Sequence, residues 1–263
     1  MDDYSLERLL GQGAVGSVYI GKRIGSDRQY AIKVIERNNR REEEIIDLLL
    51  RQGEIPKLLE GHKNVMTVMD AFVVKEDIYI IMEYIDGIAL IDSPIPNNLT
   101  QVFDLLYQLA DGLEYIHSKG IVHRDIKPGN IMIKRNIPIY IDYDVSCSPT
   151  SNIFPCDNKR VGTLPYIAPE VWNRNYQHLF ESDIYSLGVV FYYITHSKTL
   201  PYKYPTAKEL QIDSLRRKIP PSKTGIETLD DIIDFMLSYN YHERPSLFKI
   251  REMLSSLIKE SFN

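Results

Sequence analysis

The chain has 263 residues, of which 44% are hydrophobic and 25% are charged. This composition is ordinary for a water-soluble globular protein, and the length suits one large domain or two small ones that share a cleft. The net charge of −5 excludes a broad basic surface for nucleic acid or anionic lipid. We therefore expect a protein that works without nucleic acid and without a membrane.

The sequence also bears on the compartment. No apolar run approaches the roughly 20 residues of a membrane-spanning helix, and the acidic N-terminus does not resemble a secretory signal peptide. Cys147 and Cys156 are the only cysteines. In a chain of this length we expect free thiols rather than a disulfide framework or a metal site. The prediction is a soluble intracellular protein, in either the cytoplasm or the nucleus.

The first third of the chain is predicted to form mainly strands. Residues 18–24 and 29–35 are rich in β-branched and aromatic residues, and the Gly-Ser-Asp sequence between them predicts a hairpin. Two further strands are predicted over 65–74 and 77–85. Residues 39–60 carry charges on one side and aliphatic residues on the other, which predicts one main helix.

After Asp86-Gly87 the pattern becomes mainly helical. Aliphatic residues recur at helical spacing from Thr100 to Ser118, with Thr100 as the candidate cap. The other predicted elements of this part are two short strands at 131–134 and 139–142, and helices at 182–196, 206–217, 229–238 and 246–259.

This order of elements predicts an α+β fold with two lobes and a cleft between them. The small N-lobe is rich in β-strands, contains one main helix and covers about residues 1–85. The larger helical C-lobe covers about 88–263, and a hinge lies at about 83–87. We expect a single domain over 1–263.

The stretch GQGAVGSVY, residues 11–19, has the pattern G-x-G-x-x-G-x-V between two predicted strands. Glycine permits a tight turn and lets backbone N–H groups approach phosphate oxygens. A dinucleotide-binding fold would continue with a helix, whereas here Val18 to Ile20 continues as a strand. Taken alone, the stretch also fits a glycine-rich hairpin without a ligand.

Lys33 lies in the middle of the third predicted strand, in the stretch AIK. One interpretation is an edge lysine that points to water. The other is a cation beneath the glycine-rich turn, where it would pair with nucleotide phosphates and with a helix carboxylate. The glycine-rich stretch and the lysine together favour the second interpretation.

The stretch VHRDIKPGNIMI, residues 122–133, places polar residues between aliphatic ones. Asp125 is expected to accept the proton of a substrate hydroxyl, and Lys127 to neutralise a transferring phosphate. Asn130 and Asp142, which ends the next strand, offer the hard oxygen ligands that Mg²⁺ prefers. Any one of these residues alone would be interpreted as a solvated turn residue, but their order predicts phosphoryl-transfer chemistry.

These motifs resemble those of the eukaryotic-type protein kinases over nearly the whole chain. The matching stretches are GQGAVGSV for the phosphate-covering loop, AIK for the third-strand lysine, HRDIKPGN for the catalytic loop, DYD (142–144) for D-F-G, GTLPYIAPE (162–170) for the substrate platform, SDIYSLGVV (182–190) for the long buried helix, and HERPS for a late arginine. The resemblance implies that Asp183 braces the catalytic loop and that Arg244 pairs with Glu170.

The resemblance also implies the activity, which is transfer of the γ-phosphoryl group of ATP to a protein hydroxyl, with ATP and Mg²⁺ as cofactors. Lys127 and the form of the platform resemble the serine/threonine branch, since tyrosine kinases generally lack that lysine. The implied catalytic residues are Asp125, Lys127 and Lys33, and the implied metal ligands are Asn130 and Asp142.

By the same resemblance the adenine would lie between Val18 and Ala31, with hinge contacts from the backbone of Glu83 and Ile85 and with Met82 at the back of the pocket. The full set of implied nucleotide-binding residues is Leu10, Gly11, Gln12, Gly13, Ala14, Val15, Gly16, Ser17, Val18, Ala31, Lys33, Glu83 and Ile85.

The helix carboxylate that would pair with Lys33 is not unique in the sequence. Glu54 is the favoured candidate, although its spacing to the following EGHKNV stretch is slightly short of the family's, and Gly53 and Pro56 would disturb a helix there. The acidic run Glu42, Glu43 and Glu44 is the alternative.

Asp144 stands where the family has the glycine of D-F-G. Glycine is permissive at a hinge, so aspartate is expected to restrict the movement of this segment. Because Asp142 is retained, we expect altered switching and not lost activity. The Asp144 side chain is expected to face the surface rather than to contact a metal.

The activation segment, 142–170, lacks Ser or Thr a few residues before its Gly-Thr, where members switched by phosphorylation usually carry one. Residues 157–160 occupy those places instead. Arg124 would be able to bind a phosphate further upstream, on Ser148, Thr150 or Ser151. Our hypothesis is that activity needs no phosphate there and is either constitutive or driven by a partner protein.

Two other functional classes compete with an active protein kinase. A pseudokinase scaffold is disfavoured because Lys33, Asp125, Asn130 and Asp142 are all present. A kinase for small molecules is disfavoured because Lys127 and the platform suit a peptide. Short stretches resemble the cell-division kinase that fires replication origins and the casein-kinase-two group, which leaves the subfamily and the substrate open.

Overall fold

The computed structural model describes residues 3–13, 15–38, 40–157, 159–174, 179–201 and 221–262. The helix predicted over 206–217 and the predicted loop residue Ala14 lie outside these ranges. Within them the chain forms a β-sheet followed by a mainly helical part. The predicted α+β architecture with two lobes is therefore confirmed.

The N-lobe sheet has five antiparallel strands in the order β1–β2–β3–β5–β4. The strands are β1 (Tyr4–Gln12), β2 (Ser17–Arg23), β3 (Gln29–Ile35), β4 (Val68–Val74) and β5 (Asp77–Glu83). Lys33 lies in the central strand, opposite Val18 of β2 and Ile80 of β5. Strands on both sides leave its side chain only 12% exposed, which rules out an edge lysine.

The helix predicted over 39–60 is interrupted. α1 (Glu42–Leu49) is followed by a π-helical turn, Leu50–Glu54, and then by the short α2 (Ile55–Leu58). Gly53 approaches β4 so closely that an added Cβ would lie 2.6 Å from the Cβ of Ala71. Pro56 cannot donate a backbone hydrogen bond to a continuous helix. The wider turn therefore brings Gly53 against the sheet and buries Arg51 and Gln52.

The C-lobe is built around α3 and α5. Its helices within the described residues are α3 (Leu99–Ser118), α4 (Pro169–Trp172), α5 (Leu179–Thr195), α6 (Glu227–Met236) and α7 (Leu247–Glu260). The cap of α3 is Asn98 and not the predicted Thr100, because the Asn98 side chain accepts hydrogen bonds from the N–H groups of Thr100 and Gln101. Among the described residues, no helix combines the length and apolar character needed to cross a bilayer.

A small second sheet contains the two strands that follow the catalytic loop. Its strands are β6 (Ile88–Ala89), β7 (Ile131–Lys134) and β8 (Ile137–Tyr140), in that order. β7 agrees with its predicted limits, whereas β8 begins two residues before the predicted 139 and ends before Asp142. Asp142 therefore follows the strand instead of ending it.

The two cysteines form a disulfide, so the expectation of free thiols is wrong. Cys147 and Cys156 are bonded, with their Cα atoms 5.0 Å apart. Their neighbours Ser148 and Pro155 form a parallel bridge, and Cys147 pairs with Val122 next to the catalytic loop. Composition and length do not reveal such pairing, because it depends on how the activation segment folds back on itself.

Candidate active site

The catalytic loop is held in place by α5. Asp183 of this helix is buried, and its carboxylate accepts hydrogen bonds from the backbone N–H groups of His123 at 2.8 Å and Arg124 at 2.9 Å. His117 Nε2 lies 2.9 Å from the same carboxylate. The prediction that Asp183 braces the catalytic loop is confirmed.

Asp125 lies at the centre of a polar network at the end of this loop. Its Oδ2 accepts hydrogen bonds from Lys127 Nζ at 2.6 Å and Asn130 Nδ2 at 2.9 Å, and its Oδ1 accepts one from the Thr163 hydroxyl at 2.8 Å. Lys127 Nζ also donates to the Thr163 hydroxyl at 2.7 Å. Both carboxylate oxygens therefore accept hydrogen bonds from protein groups, unlike those of a solvated turn aspartate.

Two non-glycine residues of the site have left-handed backbone conformations. Arg124 has φ of 68° and Asp142 has φ of 67°, a region that side chains other than glycine seldom adopt. Gly162, with φ of 105°, packs against this loop, and a Cβ there would lie 2.8 Å from the carbonyl oxygen of Arg124. The fold thus stabilises a strained catalytic loop by close contact with the start of the substrate platform.

Lys33 reaches the segment that follows β8. Its Nζ lies 2.6 Å from Asp144 Oδ1 and 3.5 Å from Asp142 Oδ1. The Asp144 side chain is only 14% exposed, so the expectation of a surface-facing Asp144 is wrong. Both expected helix partners for Lys33 are also wrong in this structure. Glu54 pairs with Lys57 at 2.8 Å, and in the acidic run Glu44 pairs with Arg41 while Glu42 and Glu43 are exposed.

Two carboxylates share the single Lys33 ammonium, and this arrangement shifts both of their pKa values. Burial works to raise the pKa of Asp142, but the positive charge of Lys33 and a hydrogen bond with Asp144 outweigh it and lower the pKa. Burial raises the pKa of Asp144 to about 7, with Asp142 adding to the effect and Lys33 opposing it. Asp142 is thus the carboxylate that stays charged most readily.

The glycine-rich turn lies against the strand of Lys33. A hydrogen bond from the N–H of Gly13 to the carbonyl of Gly16, at 2.8 Å, closes the turn. A Cβ on Gly16 would lie 2.4 Å from the carbonyl oxygen of Val34, so only glycine fits there. The flanking residues implied in nucleotide binding are Leu10, Gly11 and Gln12 at the end of β1, and Ser17 and Val18 at the start of β2.

The residues expected around an adenine are neighbours in the sheet. Ala31 of β3 is opposite Met82 of β5, and Val18 and Ala31 pack against the hydrophobic cluster that contains Met82 and Ile85. Val15 packs against the same cluster. Glu83 ends β5, and Ile85 lies in the connection to β6, at the predicted hinge.

Arg124 already has an acidic partner. Its buried guanidinium donates hydrogen bonds to Asp157 Oδ1 at 3.0 Å and to the Lys159 carbonyl at 2.8 Å. Burial works to raise the pKa of Asp157, but Arg124 and Lys159 outweigh it and lower the pKa. Of the hydroxyls expected to carry a phosphate for Arg124, that of Ser148 lies 3.3 Å from that of Thr150, and Ser151 accepts a hydrogen bond from Ile153 N–H.

The predicted ion pair of Arg244 and Glu170 anchors the C-terminal end of the substrate platform. The guanidinium and the carboxylate form two parallel hydrogen bonds, of 2.6 and 2.8 Å. Arg244 also donates to the carbonyls of Glu181 and Ser238. This prediction is confirmed, and the pair connects the end of the activation segment to the residues that precede α7.

Three residues contact this site or the activation segment beside it although the sequence does not single them out. Thr163 was part of a recognised motif, and its position in Gly-Thr was the available signal. Asp157 was considered only because it occupies a place where Ser or Thr is usual, and not as a partner for Arg124. Arg51 gave no signal of its own, since an arginine in a charged helix is normally exposed.

Comparison with known proteins agrees with this geometry. The protein kinase domain family matches residues 4–256. A protein of Acanthamoeba polyphaga mimivirus that is named as a serine/threonine-protein kinase is 31% identical over 96% of this chain and 94% of its own length. Serine/threonine-protein kinase PrkC of Bacillus subtilis is 28% identical over 84% of this chain, and CBL-interacting serine/threonine-protein kinase 8 of Arabidopsis thaliana is 28% identical over 95%.

The matched regions cover 34% of the Bacillus protein and 56% of the Arabidopsis protein, so the chain corresponds to one part of each. The family match extends from β1 into α7 and includes every motif described above. The chain therefore belongs to the protein kinase family, in its serine/threonine branch, whose members are transferases that act on protein hydroxyl groups.

Proposed function

We propose that this chain transfers the γ-phosphoryl group of ATP to serine or threonine hydroxyls of a protein substrate, with Asp125 as the catalytic base. The observation that carries the proposal is that both carboxylate oxygens of Asp125 accept hydrogen bonds, from Lys127, Asn130 and Thr163. A carboxylate fixed in this way is positioned to orient a hydroxyl and to accept its proton. Lys127, whose ammonium contacts both Asp125 and Thr163, would neutralise the transferring phosphoryl group.

The triphosphate of ATP would lie beneath the glycine-rich turn and beside Lys33. Support comes from the contact of Gly16 with β3 and from the position of Lys33 in the central strand. The adenine would lie between Val18 and Ala31. Backbone groups of the hinge, at Glu83 and Ile85, would form its edge contacts.

Asn130 and Asp142 would hold Mg²⁺. Asn130 uses its Nδ2 for Asp125, so its Oδ1 is available as a ligand, and the lowered pKa of Asp142 favours the charged carboxylate. A hydrogen bond of 3.0 Å from Ile141 N–H to the Asn130 carbonyl holds the two stretches side by side. Two hard oxygen donors fit this ion, which supplies positive charge to the phosphates when bound.

The test is phosphate transfer from labelled ATP to generic protein substrates, with small alcohols as a separate acceptor. Asp125→Asn should lower the rate by about 100-fold or more, while nucleotide affinity changes by no more than about threefold. Asp142→Ala should weaken Mg²⁺-dependent nucleotide binding as well as turnover. Asp231→Asn, on the exposed side of α6, is the matched control. An Asp125→Asn protein as fast as the wild type would contradict the proposal.

We also propose that the activity needs no phosphate in the activation segment. The support is Asp157, whose carboxylate neutralises Arg124 at 3.0 Å in the unmodified chain. An assay of the purified chain alone separates constitutive activity from activity driven by a regulatory partner protein.

A further inference from the structure

The acidic side chains of the helical segment 42–58 are turned away from Lys33. Glu44 pairs with Arg41 at 2.9 Å and Glu54 pairs with Lys57 at 2.8 Å. Glu42 and Glu43 are exposed, and the remaining carboxylate, Asp47, pairs with Arg51. The helix therefore offers no carboxylate to the ammonium of the central strand.

The buried side of the same segment carries a cation. Arg51, which is 7% exposed, donates hydrogen bonds to the carbonyl of Ser146 at 2.7 Å and to that of Pro155 at 3.3 Å. These two residues directly precede Cys147 and Cys156, which are bonded to each other. The helix is thus connected to the backbone of the activation segment and not to Lys33.

Asp144 provides the carboxylate contact to Lys33 that the helix does not. Its Oδ1 lies 2.6 Å from Lys33 Nζ, and the two side chains are 14% and 12% exposed. It does not adopt a positive φ, so no backbone strain works against this position. Asp142, at 3.5 Å, is the other carboxylate near Lys33, and it is the one that we assign to Mg²⁺.

We infer that Asp144 is a positioning residue for Lys33, taking the role that a carboxylate of the N-lobe helix was expected to have. The inference rests on the proposed function, since Lys33 matters only if it orients the phosphates of ATP. The ammonium is fixed by the segment that carries the metal ligand. Lys33 therefore reaches its working position whenever this segment is in place, without a movement of α1.

This arrangement predicts a specific kinetic effect. Without the Asp144 carboxylate, Lys33 loses its nearest contact and keeps only the longer one, to Asp142 at 3.5 Å, so its position among the phosphates is less well defined. The phosphates are then less well oriented in the transition state, and this lowers kcat. Binding of ATP in the ground state is less affected, because the same change removes an acidic group near the triphosphate.

The experiment compares Asp144→Asn with Glu54→Gln, which makes the same chemical change at the sequence-predicted helix partner. We expect Asp144→Asn to lower kcat by about tenfold or more and to change the KM for ATP by less than about threefold. Glu54→Gln should leave both values within about twofold of the wild type. The Mg²⁺ concentration for half-maximal activity should be the same in all three proteins. Asp144→Gly is the second variant if Asp144→Asn does not fold.

Three results would overturn the inference. The first is a kcat for the Asp144 variants within about twofold of the wild type. The second is an equal loss in Glu54→Gln, which would return the role to the helix. The third is a higher Mg²⁺ requirement in Asp144→Asn, which would make Asp144 a metal ligand.

A readout that does not need activity separates this inference from the proposed function. In a double-mutant cycle with Lys33→Met, the change in Tm caused by Asp144→Asn should be several degrees more negative in the wild-type background than in the Lys33→Met background. Glu54→Gln should shift both proteins equally. Equal shifts for Asp144→Asn would overturn the inference, whereas a wild type that transfers no phosphate would contradict only the proposed function.

Discussion

The ion pair of Arg244 and Glu170 permits a quantitative prediction, because both side chains are almost fully buried, at 0% and 3% exposure. Arg244→Met removes two charge-assisted hydrogen bonds and leaves the Glu170 carboxylate without a counter-charge. Breaking a buried pair in this way costs about 3 to 5 kcal/mol of unfolding free energy. In a chain of this size the corresponding fall in Tm is about 6 to 20 °C.

The assay is equilibrium unfolding in urea followed by circular dichroism, with thermal unfolding as a second measurement. Arg8→Met, at an exposed position of β1, should change the free energy by less than about 0.5 kcal/mol. The double variant Arg244→Met/Glu170→Leu should recover at least about 1 kcal/mol relative to the sum of the single variants, since it removes both charges. A single-variant cost below about 1 kcal/mol, or strictly additive changes, would refute the reasoning.

Three further predictions concern the activation segment. Asp157→Asn should leave Arg124 without its counter-charge and lower kcat. Phosphatase treatment of the wild type should leave its activity unchanged. Stoichiometric phosphate in residues 146–163, with activity lost when it is removed, would contradict this prediction. The pKa of Asp157 is lowered in the fold. Its contribution to the free energy of unfolding should therefore be constant above about pH 4 and decline at lower pH. The measurement is the difference in urea midpoint between the wild type and Asp157→Asn, and a difference independent of pH would contradict the prediction. Reduction of the Cys147–Cys156 disulfide should cost about 2 to 3 kcal/mol in the urea assay, and no change in the midpoint would contradict that expectation.

Much of the active site could be predicted because its parts are close in sequence. Asp125, Lys127 and Asn130 lie within one short loop, so the turn that follows the catalytic aspartate determines their mutual geometry. Gly16 could be predicted for the same reason, since a tight turn between two strands requires glycine wherever the backbones approach closely. The two-lobe fold followed from hydrophobic periodicity, which changes from that of strands to that of helices near residue 86.

The expected partner of Lys33 failed because it depends on contacts between residues far apart in the chain. The sequence offers several acidic residues as possible partners for Lys33, and Glu54 was the favoured one. Its partner in the structure, Asp144, is 111 positions away. The π-helical turn at Leu50–Glu54 determines this pairing. It buries Arg51 in contact with the activation segment and places Glu54 beside Lys57.

The sequence by itself determined the family, the order of the strands and helices, and the residues able to carry phosphoryl-transfer chemistry. These depend on residue type and on spacing along the chain. Only the tertiary structure decided which charge pairs with Lys33, which group neutralises Arg124, and that the two cysteines are joined. Pairing energies fall steeply with distance and with solvent exposure, and both quantities are defined only once the lobes have packed together.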